Sequence, residues 1–195
     1  MKIAAIIPTL GERPELMPLI SQLVHEGIEV ITLARPDVHN IHTIWNEGVR
    51  LAQSWQAEYL AILNDDIKLP EGTLAAMRHA MESGGYACVG VDPGAKFGIA
   101  DDHRVTPVTG TVGDLMTGVT TWCFMVRAQS WVDIDERYQW WWGVGDLFTK
   151  IVAAGGTVGR IEGLGIIHIG SGTAQKHHWT QEAKRADGRL WRETH

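Results

Sequence analysis

Five groups of side chains in this sequence could carry chemistry by their type and spacing. Asn64-Asp65-Asp66 follow directly on the apolar run YLAIL at 59–63. Two carboxylates that close repel each other unless a cation or a set of donors relieves them. The triplet therefore reads either as a divalent-cation or strong-donor site, or as an Asx turn with an N-cap for the segment that follows. Asp146 ends the string WWWGVGD at 140–146. Trp140, Trp141 and Trp142 cannot all turn inward on one face of a regular element. At least one ring reaches the surface, where it suits stacking on a sugar or another flat ligand; the plainer alternative is a helix N-cap acid beside a core aromatic cluster. His168, inside GIIHIGSG at 165–172, is either a hydrogen-bonded core residue or a ligand. The pair His177-His178 lies in a polar tail and reads as solvated. Cys88 and Cys123 sit in apolar runs too far apart for a zinc knuckle, and read as reduced core thiols.

These groups need elements to place them. KIAAII at 2–7, closed by Pro8, is a continuous apolar run that suits a strand buried on both faces. Next, Leu16, Leu19, Ile20, Leu23 and Val24 recur at helical spacing and Gly27 stops them; Pro14 fits the first turn, and Pro18 is expected to kink the helix. Strands at 28–33, 59–63 and 86–91 alternate with helices at about 41–54 and 71–82. Such alternation with short connections predicts a mostly parallel, doubly wound sheet with helices on both faces. The loops at 8–13, 34–40 and 64–68 then share the edge where such sheets bind ligands. Residues 92–117, rich in Gly, Pro, Asp and Thr, read as an irregular insertion. A strand at 119–126, a helix at 144–154 and strands near 157–161 and 165–169 complete one α/β domain over 1–173. The tail at 174–195 is polar and helix-permissive, has no apolar stripe, and reads as an extension or lid.

The composition limits the partners. The chain has 195 residues, 17 Lys+Arg against 23 Asp+Glu, and a net charge of −6, which argues against gripping a nucleic-acid backbone. A phosphorylated ligand must be attracted locally, by helix N-termini, a few arginines or a metal. The opening apolar run is too short for a signal-peptide core, and no run reaches the length of a membrane span; a cytoplasmic protein is the expectation. GxGxxG, GxxxxGK[ST] and GxSxG are absent, which leaves a dinucleotide fold, a P-loop enzyme and a serine hydrolase unsupported.

Taken in order, several segments resemble the family 2-type glycosyltransferases of the GT-A fold, over residues 3–173. IIPTLGERPEL is similar to the family's opening strand and loop, and NIHTIWNEGVRLA at 40–52 to its N…N.G…A segment. LNDDIKLPEGTL is similar to its DxD site, with Asn64 in place of the usual first acid. GVTTWCFMVRAQSWVDIDERY also matches, and WWGVGDLFTKIVAAGG resembles the segment that carries the catalytic base, with Gly145 where the family commonly has Glu. The Trp-Gly-x-Gly string is similar to that of the β-1,4-galactosyltransferases.

The resemblance implies a metal-dependent, inverting transfer of a sugar from a nucleotide-diphosphate donor to an acceptor hydroxyl on a glycan, protein or small molecule. It implies that Asp66 and His168 hold Mn2+ or Mg2+ and that Asp146 is the base. It implies that Pro8, Thr9, Arg13, Asp37, Asn64, Asp65, Trp142 and Gly143 contact the nucleotide sugar. Two rivals stand beside it: a sugar nucleotidyltransferase, which would want a more glycine-rich and basic first loop, and a non-catalytic nucleotide- or sugar-binding module on the same fold.

Overall fold

A computed structural model describes residues 2–9, 13–35, 38–92, 103–109, 114–115, 118–169 and 178–195. Asp37, His177 and most of 92–117 lie outside the described residues.

The elements run β1 (Ile3–Thr9), α1 (Leu16–His25), β2 (Glu29–Ala34), α2 (Ile41–Ser54), β3 (Tyr59–Leu63), β4 (Ile67–Lys68), α3 (Thr73–Gly84), β5 (Cys88–Val91), β6 (Val105–Val108), β7 (Cys123–Arg127), α4 (Gly143–Ala153), β8 (Val158–Ile161), β9 (Ile167–His168) and α5 (Trp179–Thr194). Helix α1 starts at Leu16, so Pro18 falls in its first turn, where its missing N–H has no helical acceptor to lose. The expected kink is therefore replaced by an ordinary helix start. Asn40 caps α2, accepting hydrogen bonds from the amides of His42 (3.0 Å) and Thr43 (3.1 Å).

Seven strands form one sheet in the order β2-β1-β3-β7-β5-β8-β6. β1 pairs parallel with β2 and β3, and β5 with β8, whereas β7 runs antiparallel to β3 and β5 and β6 antiparallel to β8. The sheet is thus mixed, not mostly parallel: a loosely Rossmann-like sheet with flanking helices. The antiparallel strands escape the alternation argument because their apolar runs read the same in either direction.

Every residue of β1 is buried, and its side chains alternate between two cores. Ile3, Ala5 and Ile7 face Leu19 and Leu23 of α1 and Leu74, Met77 and Met81 of α3. Ala4 and Ile6 face Trp45 and Val49 of α2 and Leu147, Phe148 and Ile151 of α4. Cys88 and Cys123 are free and buried, and burial pushes both thiols well above their usual range. No helix among the described residues is long and apolar enough to cross a membrane.

Two departures from the sequence reading matter for the site. The apolar run at 165–169 does not join the main sheet. Its β9 pairs antiparallel with β4, placing His168 opposite Ile67. The tail, meanwhile, contains a full helix, α5, whose buried residues are Thr180, Ala183, Asp187 and Gly188. None of these is a large apolar side chain, which is why the segment shows no stripe.

Candidate functional site

Parallel β1 and β3 end together, so Pro8 and Thr9 stand beside Asn64, Asp65 and Asp66. Antiparallel β7 begins at the same edge: Cys123 pairs with Leu63, and the Asn64 amide donates to the Trp122 carbonyl at 3.0 Å. The β4–β9 ribbon then folds His168 over the acids, with the Ile169 amide donating to the Asp66 carbonyl at 2.9 Å.

The result is a cavity of about 220 Å³. Pro8, Thr9, Asn64, Asp65, Asp66 and His168 form its polar side, and Trp45, Trp122, Trp140 and Trp141 supply aromatic wall. His168 Nε2 lies 3.0 Å from Asp66 Oδ1. The His168 ring stacks on Trp122, with centroids 5.2 Å apart and planes 15° from parallel. Asp66 is buried. The Thr9 hydroxyl donates to Asp65 Oδ2 at 2.6 Å. Burial raises the Asp65 pKa and the Asp66 charge raises it further, while the Thr9 hydrogen bond and Arg13 oppose the rise. Burial is the main cause of the rise at Asp65, and repulsion by the adjacent acid is a smaller one.

Six of the residues singled out from the sequence thus share one cavity: Pro8, Thr9, Asn64, Asp65, Asp66 and His168. Arg13 is not on its wall but acts electrostatically on Asp65. Trp142, Gly143 and Asp146 are absent from the wall as well. They belong to a second cluster, where the loop at 138–142 enters α4. Trp142 has φ +22°, and its ring stacks on Trp191 of α5 at 5.5 Å. The Gly143 backbone lies against His42: a Cβ there would come within 2.6 Å of the imidazole.

Asp146 stands in the first turn of α4, 6% exposed. Its Oδ2 takes an ion pair from Lys150 at 2.6 Å and a long hydrogen bond from the Asp135 amide at 3.4 Å. Its Oδ1 faces His195 Nε2 at 3.9 Å, beyond hydrogen-bond reach. Asp146 is therefore neither an N-cap nor part of the cavity wall, and one of its oxygens keeps its accepting capacity.

Three contributors were missed from the sequence, and two tryptophans of the 140–142 string take the place expected of the third. Trp45 and Trp122 looked like ordinary core and strand residues. Trp140 and Trp141 reach the cavity where Trp142 was expected, and all three rings of the string are only partly buried. Asp187, in the tail, is the third missed contributor.

Among the described residues no group of three or more His, Cys, Asp and Glu side chains converges on one point. Asp66 and His168 are a pair. A pair of this kind still fits Mg2+ or Mn2+ in a phosphate-binding site, because such ions commonly use one or two protein ligands and complete their shell with phosphate oxygens and water.

No family model and no curated protein matches the sequence. Solved structures do. A197 from STIV aligns with a TM-score of 0.58 and 17% identity over 86% of this chain and 85% of that one. TarS 1-349 from S. aureus aligns with a TM-score of 0.52 and 10% identity over 83% of this chain, and a longer S. aureus TarS chain with 0.52 and 9%. This chain spans 60% and 36% of those two structures. At such identities the likeness is one of fold.

Proposed function

We propose that the protein is a metal-dependent, inverting glycosyltransferase that moves a sugar from a nucleotide-diphosphate donor to an acceptor hydroxyl. The observation that carries this reading is the Asp66–His168 pair, closed at 3.0 Å beside Asn64 and Asp65 in a tryptophan-walled cavity at the ends of β1 and β3. A cavity with hard ligands on one side and flat aromatic faces on the other suits a ligand that is part phosphate and part ring.

Asp66 and His168 would hold Mn2+ or Mg2+, which supplies neutralisation of the charge gathering on the departing diphosphate. Trp122, stacked on His168, keeps that imidazole aimed at Asp66. Thr9 and Arg13 hold Asp65 against the repulsion of Asp66, and with Pro8 and Asn64 these residues contact the nucleotide; Asp37 belongs to the same proposed set. Trp140 and Trp141 offer ring faces to base or sugar, while Trp142 and Gly143 shape the turn into α4.

Asp146 is the proposed base. Lys150 and the Asp135 amide hold Oδ2, which leaves Oδ1 as the oxygen that takes the acceptor's proton. Its place outside the cavity wall also favours a second reading, a nucleotide- or sugar-binding module without turnover.

A panel of nucleotide sugars scored for hydrolysis separates the two. Transferase chemistry predicts that one donor is hydrolysed with Mn2+ and not with EDTA. Asp146→Asn should then slow transfer ~10²-fold or more while donor affinity stays within about twofold. Tight binding of a nucleotide sugar with no hydrolysis or transfer, in any metal, establishes the module instead.

A further inference from the structure

The carboxylate of Asp187 lies on α5 and is 0% exposed. It belongs to no ion pair among the described residues. Instead its Oδ1 accepts from the Gln139 amide at 2.9 Å, and its Oδ2 from the Trp140 amide at 2.9 Å and the Trp141 amide at 2.8 Å. Residues 139–142 are in neither strand nor helix, so these amides have no ladder to satisfy them. A buried anion met only by backbone donors is tolerated when those donors are fixed, and it fixes them in turn.

The rings on this segment are gripped from the same helix. The indole N–H of Trp141 donates to the Thr180 carbonyl at 3.2 Å, and Lys184 Nζ lies 5.0 Å from the Trp141 ring. Trp140 meets Trp179 edge-on at 5.0 Å. Both Trp140 and Trp141 also line the cavity.

We infer that Asp187 is a positioning residue for the ligand cavity: its carboxylate clamps three consecutive amides so that Trp140 and Trp141 present their rings to whatever binds there. An apolar residue at 187 would fill the space and leave three donors unmet. The C-terminal helix is thereby part of the site's construction and not a spare extension. Only the ligand-binding half of this inference rests on the donor reading above; the clamp itself does not.

The test uses the full chain labelled with 5-fluorotryptophan. The 19F resonances are assigned by Trp→Phe variants, and Asp187→Asn removes the charge while keeping the shape and one acceptor oxygen. The Trp140 and Trp141 resonances should move or broaden, and those of Trp45 and Trp122 should hold. UDP and GDP, each with Mn2+, serve as binding probes. Affinity for whichever one binds should fall by about tenfold, the order expected for a misplaced stacking face. In Asp187→Ala, added formate should recover both signals, because it can refill the three-amide cradle. Recovery by formate separates clamping from a general loss of fold.

Trp140 and Trp141 resonances that stay unchanged in Asp187→Asn overturn the inference. So does a tight-binding Asp187→Asn variant whose tryptophans have moved. If wild type binds neither nucleotide, the donor reading fails, and the 19F spectra alone decide the clamp.

Discussion

His42 shows how a single buried side chain ties the site to the solvent. It is 0% exposed and its Nδ1 lies 2.9 Å from the Tyr138 carbonyl, while its Nε2 has no hydrogen-bond partner among the described residues. Burial lowers its pKa to about 4, against partial opposition from that carbonyl, Asp187 and Asp146. The folded protein therefore keeps His42 neutral where the unfolded chain, with an ordinary value of 6.5, takes up a proton. Stability from this group is complete above about pH 6.5 and is lost as pH falls toward about 4, because the unfolded state binds the extra proton. The steepest slope is ~1.4 kcal/mol per pH unit. Urea titrations from pH 8 to pH 4 should show that decline in wild type and a shallower one in His42→Gln. Parallel curves for the two proteins would assign the pH dependence elsewhere. Nothing in the residue pattern points to this role, since a histidine one residue inside a helix carries no periodic signal. Asp65 and Asp66 are legible as acids at a strand end, whereas His168 by itself reads equally as a core histidine and enters the site only through the family resemblance.

At the scale of elements, the helix-to-sheet approach decides how firmly the cavity edge is held. α2 crosses β1 so closely at Gly48 that an added Cβ would sit 2.6 Å from Ile6 Cγ2 and 3.2 Å from Leu33 Cδ1. Gly48→Ala should gain up to ~1 kcal/mol of helix propensity. It should lose more to overpacking, which typically costs ~1–3 kcal/mol in a closed core. A fall in Tm of a few degrees in thermal unfolding is expected; a higher Tm would mean that Ile6 repacks freely and that the contact is loose. The elements themselves were largely legible: β1, α1, α2, β3 and α3 follow apolar periodicities close to their observed bounds. β4 and β9 were not, since a two-residue ribbon has no periodicity to read. The tail reads as helix-permissive, but the packing of α5 is not legible, because its buried face is made of Thr180, Ala183, Asp187 and Gly188, small or polar residues that meet rings and amides supplied by another segment.

For the whole molecule, the order of strands is what turns separate motifs into one site. Parallel β1 and β3, antiparallel β7 and the returning β4–β9 ribbon deliver Thr9, Asp65, Asp66, Trp122 and His168 to a single edge from positions spread across most of the chain. The crevice at the strand ends was expected from alternation alone, but the antiparallel β7 that brings Trp122 was not. Periodicity carries no direction, and only pairing fixes it. This edge is proposed to bind a nucleotide diphosphate through a cation held by Asp66 and His168. Isothermal titration of UDP and GDP into wild type and Asp66→Ala, each with Mn2+ and with EDTA, tests it most directly. At least one nucleotide should bind wild type with Mn2+, with a loss of tenfold or more, about 1.4 kcal/mol, on adding EDTA or on removing the Asp66 carboxylate. Equal affinity in all four conditions, or binding in none, would contradict it.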